Sequence, residues 1–310
     1  MVSESAADGK LIFAVRLDER QTYPGFSQRM MGLVRARMTT SPKLVPSLGL
    51  IERILAAENA YTLSRLQVLE RIPGNPIGAA CRRVDDGVVA FIARHLPSPS
   101  LNSVRGLGDG HAHHIAPLVE WYRANGVAGR FEMVPGHYAA ALGRELARLG
   151  YFHSGFDAGL VGEPDVPTAM PPGVEVERVA GDAAMEKYLD AYVAGWGFPA
   201  SEHARFKQNV RPWLHQPGWS LYLGRIDGRE AGAATLYVHD KVGYLADAAT
   251  DPALRGRGAH LALLGRRIAD AGAAGVELVC SGAEFLSTSH RNMERAGMRL
   301  AFVRSIWTPL

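Results

Sequence analysis

Thr250-Asp251-Pro252-Ala253-Leu254-Arg255-Gly256-Arg257-Gly258-Ala259-His260 is the stretch on which the reading of this chain turns. Before it, Tyr244 to Ala249 is an apolar run that reads as a buried strand. After it, Leu261, Leu264 and Ile268 recur at i, i+3 and i+7, the spacing of a buried helix face. The glycines therefore fall in a strand-to-helix turn. Such a turn leaves several backbone N–H groups free at the positive end of the helix dipole, which makes a cradle for a phosphate. Gly256 and Gly258 let the main chain approach an anion closely, and Arg255 and Arg257 add charge. A Walker loop needs Gly-Lys-Ser/Thr, and a dinucleotide fingerprint needs Gly-x-Gly-x-x-Gly. Here Ala259, His260 and Leu261 follow Gly258, so neither fits. The loop predicts an anionic cofactor of another kind.

The 310 residues, 47% hydrophobic and 21% charged, are those of a soluble globular protein with room for two domains. A net charge of +3 is too small for a dedicated nucleic-acid binder. Cys81 and Cys280 lie one in each half without metal-ligand spacing, which predicts a reduced, cytoplasmic setting. No apolar run reaches the ~18 residues of a membrane span, and Met1 to Lys10 lacks the pattern of a signal peptide.

Along the chain, Leu11 to Leu17 predicts a strand, and Ser27 to Met38 and Leu48 to Leu69 predict helices. Strands over 77–84 and 88–95 flank Asp85-Asp86-Gly87, and a third covers Leu101 to Leu107. A helix over 114–125, a strand over 129–134, a helix over 137–149 and closing strands to Val161 complete the first half. Residues 163–173, Pro-rich and aperiodic, form a linker. The order then repeats. A strand over 174–179 leads to helices over 185–195 and 202–214, and strands over 220–226 and 230–239 precede the Tyr244 strand. A helix to Ala274, a strand over 276–280, a helix over 287–296 and a strand over 300–307 follow the glycine loop.

The halves also end alike, in Arg148-Leu149-Gly150-Tyr151 and Arg295-Ala296-Gly297-Met298. The matching glycines Gly150 and Gly297 lie 147 residues apart, and Gly126 and Gly275 lie 149 apart. So constant an offset predicts an internal duplication.

With Asp251-Pro252 before it and Arg255-x-x-Gly258 within it, the loop resembles the coenzyme A pyrophosphate loop of the GCN5-related N-acetyltransferases (GNAT), Arg/Gln-x-x-Gly-x-Gly/Ala. His260 stands where the last Gly or Ala is expected. The element order resembles that family over nearly the whole chain. The resemblance implies an α/β fold of two tandem GNAT-like domains, residues 1–165 and 166–310. Each is expected to be a mixed, mostly antiparallel central sheet flanked by helices. In the first half Arg105-Gly106-Leu107-Gly108-Asp109-Gly110 spells the motif literally, yet the third strand already claims Arg105 and Gly106, and Asp109 repels a pyrophosphate. A degenerate first domain without cofactor is expected. His111, His113 and His114, near His95 and His137, read as histidines of a polar turn and not as a metal site.

In the second half the resemblance implies acetyl-CoA as acyl donor. Its pantetheine arm is expected to hydrogen-bond the backbone of Ala248, Ala249 and Thr250 like an added strand. A bulge in that strand would free one N–H to polarise the thioester carbonyl. The pyrophosphate is expected on the N–H groups of Arg257, Gly258, Ala259 and His260, beside Gly256, with Arg255 as counter-charge. Ser287, a candidate N-cap with Thr288 and Ser289 as rivals, opens a last helix that carries Asn292 toward the coenzyme. Met293 stands where many relatives place a Tyr acid, so either Tyr244, His260 or water protonates the thiolate, or the thiolate leaves unprotonated. An ammonium acceptor, with pKa about 10 if lysine-like, has to lose a proton before attack. Asp247 and Glu284 are the carboxylates placed for this, with His239 third. Alternation along the strand turns Asp247 away from Ala246 and Ala248. Trp196, Phe198 and Trp219 are candidates to shape the acceptor pocket.

The function so implied is acetyl-CoA-dependent N-acetyl transfer to a primary amine of a small molecule or peptide, by a cytoplasmic monomer or homodimer with no nucleic-acid or membrane partner. The alternative is a non-catalytic acyl-CoA-binding or partner-binding module.

Overall fold

A computed structural model describes residues 2–7, 10–15, 41–85, 87–96, 98–164 and 171–310. The helix expected over 27–38 lies outside them. The chain divides into two units, 1–42 and 43–310. The first unit holds a two-stranded antiparallel sheet of β1 (Val2–Ala7) and β2 (Lys10–Val15), with Val2 opposite Val15. β2 is the strand expected from Leu11; it pairs in this separate sheet and is not a member of the larger one.

The second unit is built on an eleven-stranded sheet. Its first half contributes α1 (Leu48–Glu70), β3 (Ala79–Asp85), β4 (Val88–Ala93), β5 (Ser103–Arg105), α2 (Ile115–Ala124), β6 (Arg130–Met133), α3 (Ala140–Arg148) and β7 (Tyr151–Gly162). The second half contributes β8 (Val174–Arg178), α4 (Gly181–Trp196), α5 (His203–Val210), β9 (Trp219–Ile226), β10 (Arg229–His239) and β11 (Val242–Thr250). It ends in α6 (Ala259–Ala273), β12 (Leu278–Glu284), α7 (Thr288–Arg295) and β13 (Arg299–Pro309). The helix expected over 202–214 stops at Val210, and a short 3-10 turn, Arg211–His215, takes over because Pro212 has no N–H to continue the ladder.

In space the strands run β3-β4-β5-β6-β13-β7-β12-β11-β10-β9-β8. Two neighbouring pairs are parallel, β5 with β6 and β11 with β12; the others are antiparallel. The expectation of one sheet per half is corrected here, because the sheet is continuous. Its reason lies in two long strands, β7 and β13. β7, from the first half, lies between β12 and β13, and β13 lies between β6 and β7. The two pair with each other from Arg299 opposite Val161 to Pro309 opposite Tyr151. The edges that would have ended two sheets are thereby satisfied by each other.

Alternate residues of β9 to β11 feed two cores on opposite faces. Leu221, Leu223, Ala233 and Ala246 pack with α4, α5 and Tyr61 of α1, whereas Tyr222, Ala234, Leu236 and Leu245 pack with α6 and α7. α1 begins at Ser47, whose hydroxyl accepts the Leu50 N–H at 3.2 Å. It is buried on more than one face. Tyr61, Leu66 and Leu69 join the α4–α5 core, while Ile51, Ile54 and Leu55 pack on Val242, Leu278, Cys280 and Phe302. A helix of the first half thus lies against the strands of the second. Among the described residues no helix is long and apolar enough to cross a membrane.

Candidate functional site

β11 and β12 part company half-way along. Their parallel register holds at Val242–Leu278, Gly243–Val279 and Tyr244–Cys280 and then stops, although β11 runs on to Thr250 and β12 to Glu284. At the throat of the opening the Ser281 hydroxyl donates to the Leu245 carbonyl at 2.7 Å. Beyond it the facing edges of the two strands are unpaired with each other. The Asp251 N–H bonds the Ala231 carbonyl on β10, so antiparallel alternation turns the N–H groups of Ala248 and Thr250 toward the opening.

β11 carries the expected bulge. Its register with β10 shifts between Ala233–Ala249 and Thr235–Ala246, leaving Asp247 and Ala248 opposite the single residue Ala234. Asp247 takes φ +48, a left-handed conformation unusual in a non-glycine strand residue. The bulge overturns one expectation: Asp247 does not point away from Ala246. Both face α1, because a bulge puts two successive side chains on one side. There the Asp247 carboxylate accepts from the Tyr61 hydroxyl and, at 2.9 Å, from Arg65 Nη1. Below the bulge Arg267 of α6, fully buried, donates from Nη1 to the carbonyls of Thr235 at 2.8 Å and Ala246 at 3.1 Å. Burial pulls the pKa of Arg267 down to about 10, only partly offset by Tyr222, Tyr188 and Asp247.

The glycine loop lies at the far end of β11. Asp251 caps the turn by accepting the Ala253 N–H at 2.9 Å, and Gly258 is the N-cap of α6 with φ +91. The helix ladder starts with the Ala262 N–H on the Gly258 carbonyl at 3.0 Å, so the preceding N–H groups face outward. Gly256, with φ +78, borders open space, whereas a Cβ on Gly258 would stand 2.7 Å from Pro171. The two glycines are thus needed for different reasons, a cradle and a close contact. Arg255 folds back, donating from Nε to the Thr250 carbonyl at 3.2 Å and from Nη2 to the Gly195 carbonyl at 3.4 Å. Arg257 pairs with Asp227 at 2.6 Å. Ala249 is small because α4 crosses it: a Cβ on Gly195 would meet the Ala249 Cβ at 2.8 Å.

The last helix returns to this end. Ser287 is its N-cap, accepting the His290 N–H at 3.2 Å. Asn292 Nδ2 lies 3.1 Å from His260 Nδ1, bringing together two residues separated by 32 positions. Burial, with Arg267 nearby, lowers the His260 pKa to about 4. The neutral ring accepts the amide hydrogen at Nδ1.

A cavity of about 580 Å³ extends from the opening to α1, α4 and α5. Asp247, Ala248, Tyr244, Glu284 and Ser287 line it, as do Tyr61, Arg65, Trp196 and Phe198. Glu284 is exposed and, among the described residues, has no ion-pair partner. The Tyr244 hydroxyl reaches the opening, standing 3.8 Å from where a Cβ on Gly282 would be. Burial, reinforced by Glu58, raises its pKa well above the usual phenol range. Met293 is a buried lining residue. Trp219 belongs to the core beside Tyr61 and Trp213, and His239 is exposed at the end of β10 stacked on Tyr237. Neither lines the cavity.

The cavity floor is ionic. Arg304 bridges Glu58 and Glu132, each at 2.6 Å, and Arg130 joins Glu132 at 2.6 Å to Asp157 at 3.1 Å. Arg105 lies 3.2 Å from Glu132 and 3.5 Å from Glu58. Burial pushes the Glu132 carboxyl up, but Arg105, Arg130 and Arg304 outweigh it and hold its pKa far below the usual range. Arg105 of the literal first-half motif is therefore a strand residue committed to this network. Gly106 beside it packs so closely on the β3–β4 turn that a Cβ would lie 1.9 Å from the Gly87 carbonyl oxygen. The N–H groups of Gly108 and Gly110 are taken by His111 and Asp109. Among the described residues no group of three His, Cys, Asp or Glu is placed to hold a metal ion.

Sequence reading missed Tyr61, Arg65, Glu58 and Arg267. Arg267 left a trace: it lies four residues after Leu263 and one before Ile268, a charged residue on the buried helix face. The α1 residues left none, since only the tertiary fold brings that helix to β11.

Residues 168–285 match the family profile described as acetyltransferase (GNAT) domain. The match falls within the second half. A search of curated proteins returned no match. Among solved structures, the chain is similar to a GCN5-related N-acetyltransferase from Kribbella flavida, with TM-score 0.60 and 16% identity over 85% of this chain and 96% of that one. Another, from Sphaerobacter thermophilus, gives TM-score 0.54 and 19% identity over 83% and 90%. A tandem GNAT protein from the clavulanic acid biosynthesis pathway, solved without AcCoA, gives TM-score 0.52 and 15% identity over 85% and 97%. At these identities the likeness speaks for the fold. The matched segment spans β8 to β12 and includes the bulge, the opening and the glycine loop.

Proposed function

We propose that the chain is an acetyl-CoA-dependent N-acetyltransferase acting on a small primary amine. Residues 166–310 hold the coenzyme and the reaction, and the first half is a degenerate copy of the same fold that walls the acceptor cavity. The observation that carries this reading is the opening between β11 and β12, with the Asp247 bulge at its throat and the α6 N-terminus at its far end. Free backbone groups of Ala248 and Thr250 suit an extended amide chain such as pantetheine. The outward N–H groups of Arg257, Gly258, Ala259 and His260, and the open space at Gly256, suit a pyrophosphate. The mirrored parallel pairs β5/β6 and β11/β12 support the duplication. A cavity of about 580 Å³ is of the size that holds a small acceptor.

Acetyl-CoA would supply a thioester activated for acyl transfer. The side chains then divide the proton work. Glu284, which has no cation partner among the described residues, takes the proton from the acceptor ammonium. Asp247, with its oxygens occupied by Tyr61 and Arg65, is an anchor for the bulge and not a base. Tyr244, kept protonated by burial, can return a proton to the leaving thiolate.

Calorimetric titration of acetyl-CoA into wild type and Gly256→Asp tests the reading. Position 256 is preferable to 258 because its Cβ meets open space, where a carboxylate would face the pyrophosphate. Wild type is expected to bind about one equivalent and the variant about 100-fold more weakly. Equal binding by the two folded proteins would remove the coenzyme from this loop.

A further inference from the structure

The proton work just described gives no role to Arg267, a buried charge that stands apart from the ionic cavity floor. Arg267 is inaccessible to solvent and, among the described residues, forms no ion pair; its donors go to backbone carbonyls. A buried cation without a counter-ion is costly to desolvate. Its position is therefore informative.

Arg267 Nη1 sits between β10 and β11 and donates to both Thr235 and Ala246. These two residues face each other in the last regular pair before the bulge. The extra residue of β11 shifts the next ladder donors out of step, and the guanidinium replaces them. One consequence follows from peptide geometry. No peptide bond among the described residues is cis. In a trans peptide the C=O and the next N–H point in opposite directions. With the Ala246 carbonyl drawn toward β10, the Asp247 N–H is turned the other way, toward β12 and into the opening. Asp247 has no partner in the β10–β11 register to draw that N–H elsewhere.

Resting on the acetyltransferase reading, we infer that Arg267 is a positioning residue. By holding the Ala246 carbonyl it aims the Asp247 N–H at the thioester oxygen of the acyl donor. The side-chain contacts of Asp247 with Tyr61 and Arg65 fix the same peptide from the α1 face. The N–H so aimed stabilises the negative charge that develops on the oxygen as the acceptor attacks.

The test is infrared difference spectroscopy of carbonyl-labelled acetyl-CoA bound to wild type, Arg267→Met and Arg267→Lys. Calorimetric affinities, melting temperatures and thiol release are measured on the same samples. Wild type should shift the thioester carbonyl band to lower frequency. Arg267→Met should lose most of that shift while binding coenzyme within about threefold of wild type, because the pyrophosphate is gripped elsewhere. Its thiol release should fall by about 100-fold, the effect of losing one oxyanion donor. Arg267→Lys keeps the charge without the fork and should give an intermediate shift. It decides the matter if the methionine variant does not fold. A purely structural role would lower the melting temperature and leave the band of bound coenzyme unmoved. A full wild-type shift in either folded variant overturns the inference. So does coenzyme binding by wild type with no shift at all, which leaves the coenzyme reading standing. Failure of wild type to bind coenzyme sinks that reading, and this inference with it.

Discussion

His260→Gln should change the pH dependence of stability more than stability itself at neutral pH. In the folded chain the imidazole is held at a pKa of about 4 against an ordinary value of 6.5, first by burial and then by Arg267. The folded value is the lower one, so protonation favours the unfolded chain. The stability involved is complete above the unfolded pKa and is lost as the pH falls through the window between the two values. Linkage over this window gives a loss of about 1 kcal/mol at about pH 5.5 and about 2–3 kcal/mol at about pH 4.5. Glutamine can still accept from Asn292 but does not titrate. Urea unfolding of wild type and variant at about pH 7.5, 5.5 and 4.5 isolates the effect, since other groups titrate alike in both. The difference between the two proteins should shift in the variant's favour by these amounts on acidification. A difference that stays constant over the range would refute the buried, neutral imidazole. A neutral His260 also means that coenzyme affinity should not follow an imidazole titration near neutrality.

Two further substitutions examine the cavity. Glu284→Gln should lower the rate of acetyl transfer by about 100-fold or more, with little change in coenzyme affinity; an unchanged rate would assign the base elsewhere. Arg304→Met leaves Glu58 and Glu132 buried beside two remaining arginines, and should cost about 3–5 kcal/mol in urea unfolding at neutral pH. Because Glu132 has a depressed folded pKa, its share of stability is complete above the ordinary carboxylate range and is lost only far below it. Glu132→Gln should therefore narrow the gap to wild type only in strong acid, as an acid-unfolding curve would register.

Much of the site was legible in the order of residues. The strand, glycine turn and helix from Tyr244 to Ile268 follow from local periodicity and from glycine's freedom at positive φ. So do the Ser287 cap and the pairing of α1 to its length. Local chemistry also set Arg105 in a strand in spite of its literal motif. Alternation failed at Asp247 because a bulge is a relation between two strands: one extra residue on β11 is an excess only when counted against β10. The continuous sheet was hidden for a similar reason, since the choice of β7 and β13 to pair with each other depends on edges that exist only after both arms have formed.

The sequence by itself marked most of the described elements and the glycine turn at a helix N-terminus, because these rest on spacings of a few residues. Tertiary structure alone decided which charges meet. Tyr61 and Arg65 reach Asp247 across more than 180 residues, and Arg304 reaches Glu58 across 246. A charge's partner, unlike its helix face, is set by the packing of distant segments, and that packing gives both oxygens of Asp247 a partner on α1.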